Sequence, residues 1–181
     1  MKFSFCQGCE KYFNQYYKFM IILGIDPGFE KLGCAVLKKE KTGDKLIYST
    51  CLMSQKKDSH EKRLLYLGKE LKKIIKKYKP DILAVEKLFF TKNQKTAMQV
   101  SEARGMILFV GAMENLPIIE FTPLEIKMAI TGYGKAEKRQ VQEMVRAILK
   151  LSKLPKSDDE IDAIATALTC SAHNPHLIHK T

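Results

Sequence analysis

The chain has 181 residues, 45% of them apolar and 28% charged, which suits one soluble globular domain with a real core. Lys and Arg number 31 against 20 Asp and Glu, for a net charge of +11. No apolar run is long enough to span a bilayer, and the N-terminus lacks the basic-then-apolar layout of a secretory signal. The surplus of cations therefore predicts a polyanionic partner, nucleic acid or an anionic membrane surface, with a purely solubilising charge bias as the plainer alternative. The five cysteines, Cys6, Cys9, Cys34, Cys51 and Cys170, are odd in number and scattered, so no disulfide framework is expected and a cytoplasmic location fits. Cys34 and Cys51 lie in apolar runs and read as reduced core residues. Cys6 and Cys9 form a lone CxxC without a second ligand pair nearby.

In chain order, residues 1–19 are aromatic-rich without a clear period. They read as an N-terminal extension, with Met20 as an alternative start of the protein. One domain is expected over 20–175, and a short tail over 176–181. Three strands are predicted in quick succession, at 21–26, 33–39 and 45–52, and their short connections imply an antiparallel meander. The period then changes. Leu64, Leu67, Leu71, Ile74 or Ile75, and Tyr78 recur at helical spacing, predicting a helix over 59–79 with Ser59 as N-cap. Lys69, Lys72, Lys73, Lys76 and Lys77 cover its other side and read as a solvated face. Pro80 ends that helix, and the dense apolar run DILAVEKLFF follows as a strand parallel to the first. A helix over 96–116, a strand over 117–122, and helices over 137–151 and 159–172 complete an order β-β-β-α-β-α-β-α-α. The class is α/β: a mixed five-stranded sheet, an antiparallel meander plus parallel strands, flanked by helices.

Four acids stand out at element ends. Asp26 closes the first strand, Glu86 comes late in ILAVE, and Asp159 and Asp162 lie three apart at the start of the last helix, on one face. If the two strands are neighbours, Asp26 and Glu86 emerge at the same end of the sheet. Acids converging from such distant positions repel one another, which raises pKa values unless a cation fills the space. A hard divalent ion with oxygen ligands fits, and a pair of such ions serves phosphodiester hydrolysis. That chemistry explains an acidic cluster inside a basic protein. Some of these acids alone have simpler roles: Asp26 before Pro27-Gly28 suits a turn, and Asp158 and Asp159 suit a helix N-terminus, whereas Glu86 in an apolar strand and Asp162 one turn into the helix are less easily explained that way.

Four ordered stretches, ILGIDPGFEKLGCAVL, AVEKLFFTKNQKTAMQVSEARG, TGYGKAEKRQVQEMV and DDEIDAIATAL, together resemble the RuvC family of Holliday-junction resolvases, the crossover junction endodeoxyribonucleases. The resemblance runs from Met20 to about His173. It implies an RNase H-like fold, a homodimer, and symmetric paired nicking of four-way junction DNA in recombination and repair. The implied cofactor is Mg²⁺ or Mn²⁺, two ions per active site. It also implies that Asp26, Glu86, Asp159 and Asp162 are the metal-binding catalytic acids. Phe89 matches an aromatic that resembles a base-stacking or wedging group at the junction centre, although Phe90 beside it leaves core packing open for one of the two. Lys127 and Lys138 match basic positions at the scissile region, and Lys92, Asn93 and Arg104 are candidate phosphate contacts. A branch-migration motor as partner is implied by the family alone. Residues 1–19 have no counterpart in the family pattern, and Lys87 stands where a neutral polar residue is commoner.

Three other classes share parts of the pattern. An RNase H-like nuclease of RNA also opens on a strand aspartate, but the 89–104 stretch and the motifs of the second half disfavour it. An actin-like ATPase begins its phosphate hairpin similarly yet needs two lobes, and 181 residues supply one. A DNA-binding module without catalysis sits poorly with all four acids being present.

Overall fold

Hydrophobic alternation organises the first half of the molecule. In β1 (Phe19–Asp26), Ile22 packs on one side of the sheet while Leu23 and Ile25 pack on the other. The computed structural model describes residues 19–87 and 94–173, and for 94–96 their backbone only. β1 pairs antiparallel with β2 (Lys31–Glu40), which pairs antiparallel with β3 (Gly43–Met53). A chain reversal of two residues joins β2 to β3, as the predicted meander requires. Helix α1 (His60–Tyr78) then crosses over to β4 (Ile82–Glu86), which lies parallel to β1. Helix α2 (Gln94–Met113) leads to β5 (Ile118–Phe121), parallel to β4. The five-stranded sheet has the order β3-β2-β1-β4-β5.

Helices α3 (Pro123–Thr131), α4 (Lys138–Ile148) and α5 (Asp158–Ala172) follow the last strand. They pack on one face of the sheet, with Ile22, Ala35, Leu37, Ile82 and Ala84. The opposite face carries α1 and α2, against Leu23, Ile25, Cys34, Val36, Leu83 and Val85. Burial on both faces explains why β4 reads as a continuous apolar run rather than an alternating one.

Within α1 the predicted stripe holds at Leu67, Leu71, Ile74 and Ile75, all buried. Arg63 is buried with them: its Nε donates to Ser54 Oγ at 2.9 Å and its guanidinium lies 4.2 Å from the Phe29 ring centroid. Lys69, Lys73, Lys76 and Lys77 stand in solvent, as expected for a solvated face, while Lys72 pairs with Glu114 at 2.9 Å. Helix α3 is a departure, because the sequence reading left 123–131 without an element. It begins on a capping box: Thr122 Oγ1 accepts from Glu125 N–H, and a Glu125 carboxylate oxygen accepts from Thr122 N–H. Pro123 occupies the first turn, where its missing N–H costs nothing.

Candidate active site

Strand register places the first two acids. Ile25 of β1 pairs with Val85 of β4 in parallel, so the next residues, Asp26 and Glu86, leave the sheet side by side at its carboxyl end. Alternation also sets their face. Ile22 and Ala84 face α5, so Asp26 and Glu86, even steps further along, turn to the same side.

The other two acids arrive on α5, the most deeply packed helix, in which every residue from Ala163 to Ser171 is buried. Its approach to the sheet depends on missing side chains. A Cβ on Gly24 would lie 2.3 Å from the Ala163 carbonyl oxygen. A Cβ on Gly33 would lie 2.0 Å from the Asp159 carbonyl oxygen and 3.2 Å from the Asp26 Cβ. Two glycines on adjacent strands thus let the start of α5 lie directly on the sheet, with Asp159 and Asp162 over Asp26.

The electrostatics follow from that crowding. Burial pushes the Asp26 carboxyl from 3.8 up to about 8, with Glu86, Asp162 and Asp159 adding repulsion in that order and Lys138 opposing it. Burial pushes Glu86 up to about 7; Asp162 adds to the rise, and Lys138 and Lys127 oppose it. Asp162 is also raised, by burial first, even though Lys138 bonds to it. The Lys138 ammonium donates to Asp162 Oδ2 at 3.1 Å and reaches Asp158 Oδ2 at 3.3 Å. Partial burial works against the Lys138 charge, but Asp162 and Asp158 outweigh it and its pKa rises. Glu86, Lys127, Lys138 and Asp162 line a cleft of about 250 Å³, with Asp26 behind Glu86 and Asp162 at the same end of the sheet.

The predicted residues thus divide. Asp26, Glu86, Asp159, Asp162, Lys127 and Lys138 meet at this end of the sheet. Arg104 sits on α2, where its Nε and Nη2 donate to Glu120 Oε1 of β5 at 2.8 and 2.6 Å; it does not line the cleft. Phe89, Phe90, Lys92 and Asn93 lie outside the described residues, as do Cys6, Cys9, nearly all of the 1–19 extension and the 176–181 tail.

Cys51 is a correction. It is half-buried rather than in the core, because it pairs with Gly33 across β2 and β3 and so faces α5, where its Sγ lies 3.7 Å from Asp159 Oδ2. Ser157 joins it, donating to the same Asp159 oxygen at 2.8 Å. Asp158, expected only to suit the helix N-terminus, receives Lys138 and the side-chain amide of Gln142, the latter at 3.0 Å. Ser157 and Asp158 stand beside the DxxD spacing, and that adjacency was their only signal.

The donor set suits a hard divalent cation: carboxylate oxygens from three elements, half-buried, and short of positive charge. Among the described residues, no three His, Cys, Asp or Glu side chains are already drawn into a finished metal shell. Lys138 supplies the nearby positive charge instead. The acids fit a metal as partners that a bound cation would pull together, at a site open on the cleft side.

Comparison with known proteins bears on the family and the fold. The family described as Crossover junction endodeoxyribonuclease RuvC matches residues 22–170. A protein of that name from Petrotoga mobilis is 51% identical over 148 residues, covering 82% of this chain and 91% of the relative. The Thermus thermophilus RuvC structure superposes with a TM-score of 0.80 at 29% identity, over 85% of this chain and 95% of that one. The same Thermus protein solved in complex with its Holliday junction substrate matches with a TM-score of 0.80 at 29% identity, over 85% and 94% of the two chains. With an RNase H-like sheet, carboxylates gathered at its end, and relatives matched over nearly their whole length, this chain belongs to the RuvC family of crossover junction endodeoxyribonucleases.

Proposed function

We propose that this endodeoxyribonuclease resolves four-way DNA junctions at the cleft between β4, α3, α4 and α5, with Asp26, Glu86, Asp159 and Asp162 as its metal-holding acids. RuvC nucleases are metal-dependent, and the reading here is Mg²⁺ or Mn²⁺, two ions per site. When bound, such ions activate a water and neutralise charge on the leaving oxygen of the phosphodiester. The protein's own residues do the rest. Burial first, and neighbouring carboxylates after it, raise the Asp26 and Glu86 pKa values, so a bound cation would favour their ionised forms. Ser157 fixes one oxygen of Asp159 and leaves the other to turn inward. Lys127 and Lys138 bring cations to the cleft wall, where they orient the scissile phosphate and stabilise charge that develops on it.

The observation that carries this reading is the convergence of three carboxylates with raised pKa values near Lys138 at one end of the sheet, two of them, Glu86 and Asp162, lining the cleft. The test is cutting of a synthetic four-way junction with and without Mg²⁺, by wild type and by Asp26→Asn. Wild type cuts only with metal, whereas the variant binds the junction at least as tightly and does not cut. Nicking by Asp26→Asn at the wild-type rate would remove Asp26 from the site.

Paired nicking calls for two sites at a fixed separation, hence a homodimer. Its support is an apolar surface on the α1–α2 side, where Leu65, Tyr66, Met98, Phe109 and Met113 are exposed. The action takes place in the cytoplasm, during homologous recombination and repair, alongside the branch-migration motor that the family implies. No helix among the described residues is long and apolar enough to cross a membrane.

A further inference from the structure

The loop between α3 and α4 connects the two cleft lysines: Lys127 lies one turn before the end of α3, and Lys138 opens α4. Its backbone is tightly fixed. Tyr133 N–H donates to Thr131 Oγ1 at 3.1 Å, and the Tyr133 carbonyl accepts from Ala136 N–H at 3.0 Å. Gly132 adopts φ of 72°, the left-handed region, and its N–H donates to the Met128 carbonyl at 2.9 Å. Gly134 presses flat on α3, where a Cβ would lie 2.4 Å from Leu124 Cδ1. Out of this pinned turn the Tyr133 ring projects 57% exposed, with Leu124 and Met128 also exposed on the helix beneath the loop. A fixed backbone holding out an aromatic ring needs little ordering when a partner arrives.

The charges around it select the partner. The two acids of the stretch, Glu125 and Glu137, are both engaged in capping boxes at the starts of α3 and α4. Lys127, Lys135 and Arg139 add cations to the same stretch, and Lys138, paired with Asp158 and Asp162, opens the next helix, so an apolar, aromatic surface lies in a cation-rich segment of the chain. A flat apolar face attached to a phosphate is the chemistry of a nucleotide: the base stacks while the backbone meets the cations. In a duplex arm the base faces are hidden, and at a branch point they are accessible. We infer that Tyr133 is a nucleobase-stacking residue that receives an unpaired base of the cut strand beside the branch point. This rests on the junction-nuclease reading and adds a base-contacting group on the loop that joins the two cleft lysines.

The test uses full-length protein carrying Asp26→Asn, so that binding is read without cutting. The probes are a four-way junction with 2-aminopurine next to the branch point and a linear duplex of the same sequence. With Tyr133 intact, and equally with Tyr133→Phe, the fluorescent base is quenched on binding. Tyr133→Leu keeps bulk and apolarity but no ring; it should lose the quench and bind the junction about tenfold more weakly, as loss of one stacked base predicts. Its affinity for the linear duplex should be unchanged, which also shows that it is folded. Equal quenching and junction affinity for Tyr133→Leu would overturn the assignment, as would an equal loss on linear duplex. Failure of protein without the Asp26 substitution to bind or cut any four-way junction would instead overturn the reading on which the assignment rests.

Discussion

Asp26 sits at the end of a buried strand, where an ionised carboxylate costs free energy unless a cation meets it. Without metal the cost is visible as a pKa near 8, against an ordinary value of 3.8. Glu86 shows the same at about 7. The sign follows directly. Between about pH 4 and pH 8 the folded protein keeps protons that the unfolded chain has released, so stability falls as pH rises through that window. Metal-free protein should therefore melt higher at pH 5 than at pH 8. Asp26→Asn removes part of the conflict. At pH 8 it should melt a few degrees above wild type, roughly 1–2 kcal/mol for a chain of this size, and the gap should close at pH 5. Calorimetry at the two pH values, in chelator, decides this. A wild type that grows more stable from pH 5 to pH 8 would mean that these acids are not in conflict. Asp26 and Glu86 were legible in the sequence because a carboxylate at the end of an apolar strand run has few structural uses. Cys51 was not, because its neighbour Asp159 comes from 108 positions away and only the β2–β3 register sets the side it faces.

Among the elements, α5 does most to assemble the site, and it does so by lying close to the sheet rather than through any special contact of its own. Gly33 is where that closeness is least negotiable, since the atom in the way of a Cβ is backbone, the Asp159 carbonyl oxygen. Gly33→Ala should push the first turn of α5 outward and carry Asp159 and Asp162 away from Asp26. Overpacking of this kind costs about 1–3 kcal/mol. The stability loss should be partial while junction cutting falls far more steeply, because a displacement of about 1 Å already costs on the order of a hundredfold in rate. Denaturant melts alongside single-turnover cutting separate the two effects; cutting within threefold of wild type would show that α5 tolerates the shift. Sequence patterning found α1 and α4 through their one-sided apolar stripes, and α5 as a long run without a breaking residue. It passed over α3, only nine residues, whose apolar Leu124 and Met128 are exposed and so blur its buried stripe of Ile126 and Ile130. The Thr122-Pro123-Leu124-Glu125 start was readable as a capping box with Pro in the first turn.

At the scale of the molecule, the two sheet faces divide the work. One carries α3, α4 and α5 with the acids and cleft lysines; the other carries α1 and α2, with large apolar side chains in solvent. Exposed apolar surface of this kind marks interaction sites, and on the dimer proposal it would meet a second copy across a two-fold axis, setting two clefts at a fixed distance. Phe109 is the sharpest probe, because it is 64% exposed in the single chain, so a charge there meets solvent rather than the core. On the dimer proposal, wild type should sediment as a dimer and Phe109→Glu, at the same concentration, as a monomer. The functional consequence is specific to this reading. On a supercoiled plasmid that extrudes a cruciform, two nicks within one binding event give a linear product, while single nicks relax the cruciform and leave a nicked circle. Wild type should yield mostly linear DNA and Phe109→Glu mostly nicked circle, with metal dependence unchanged because the acids are untouched. A variant that sediments and linearises like wild type would place the interface elsewhere, and the exposed apolar side chains of α1 and α2 would need a different partner to explain them.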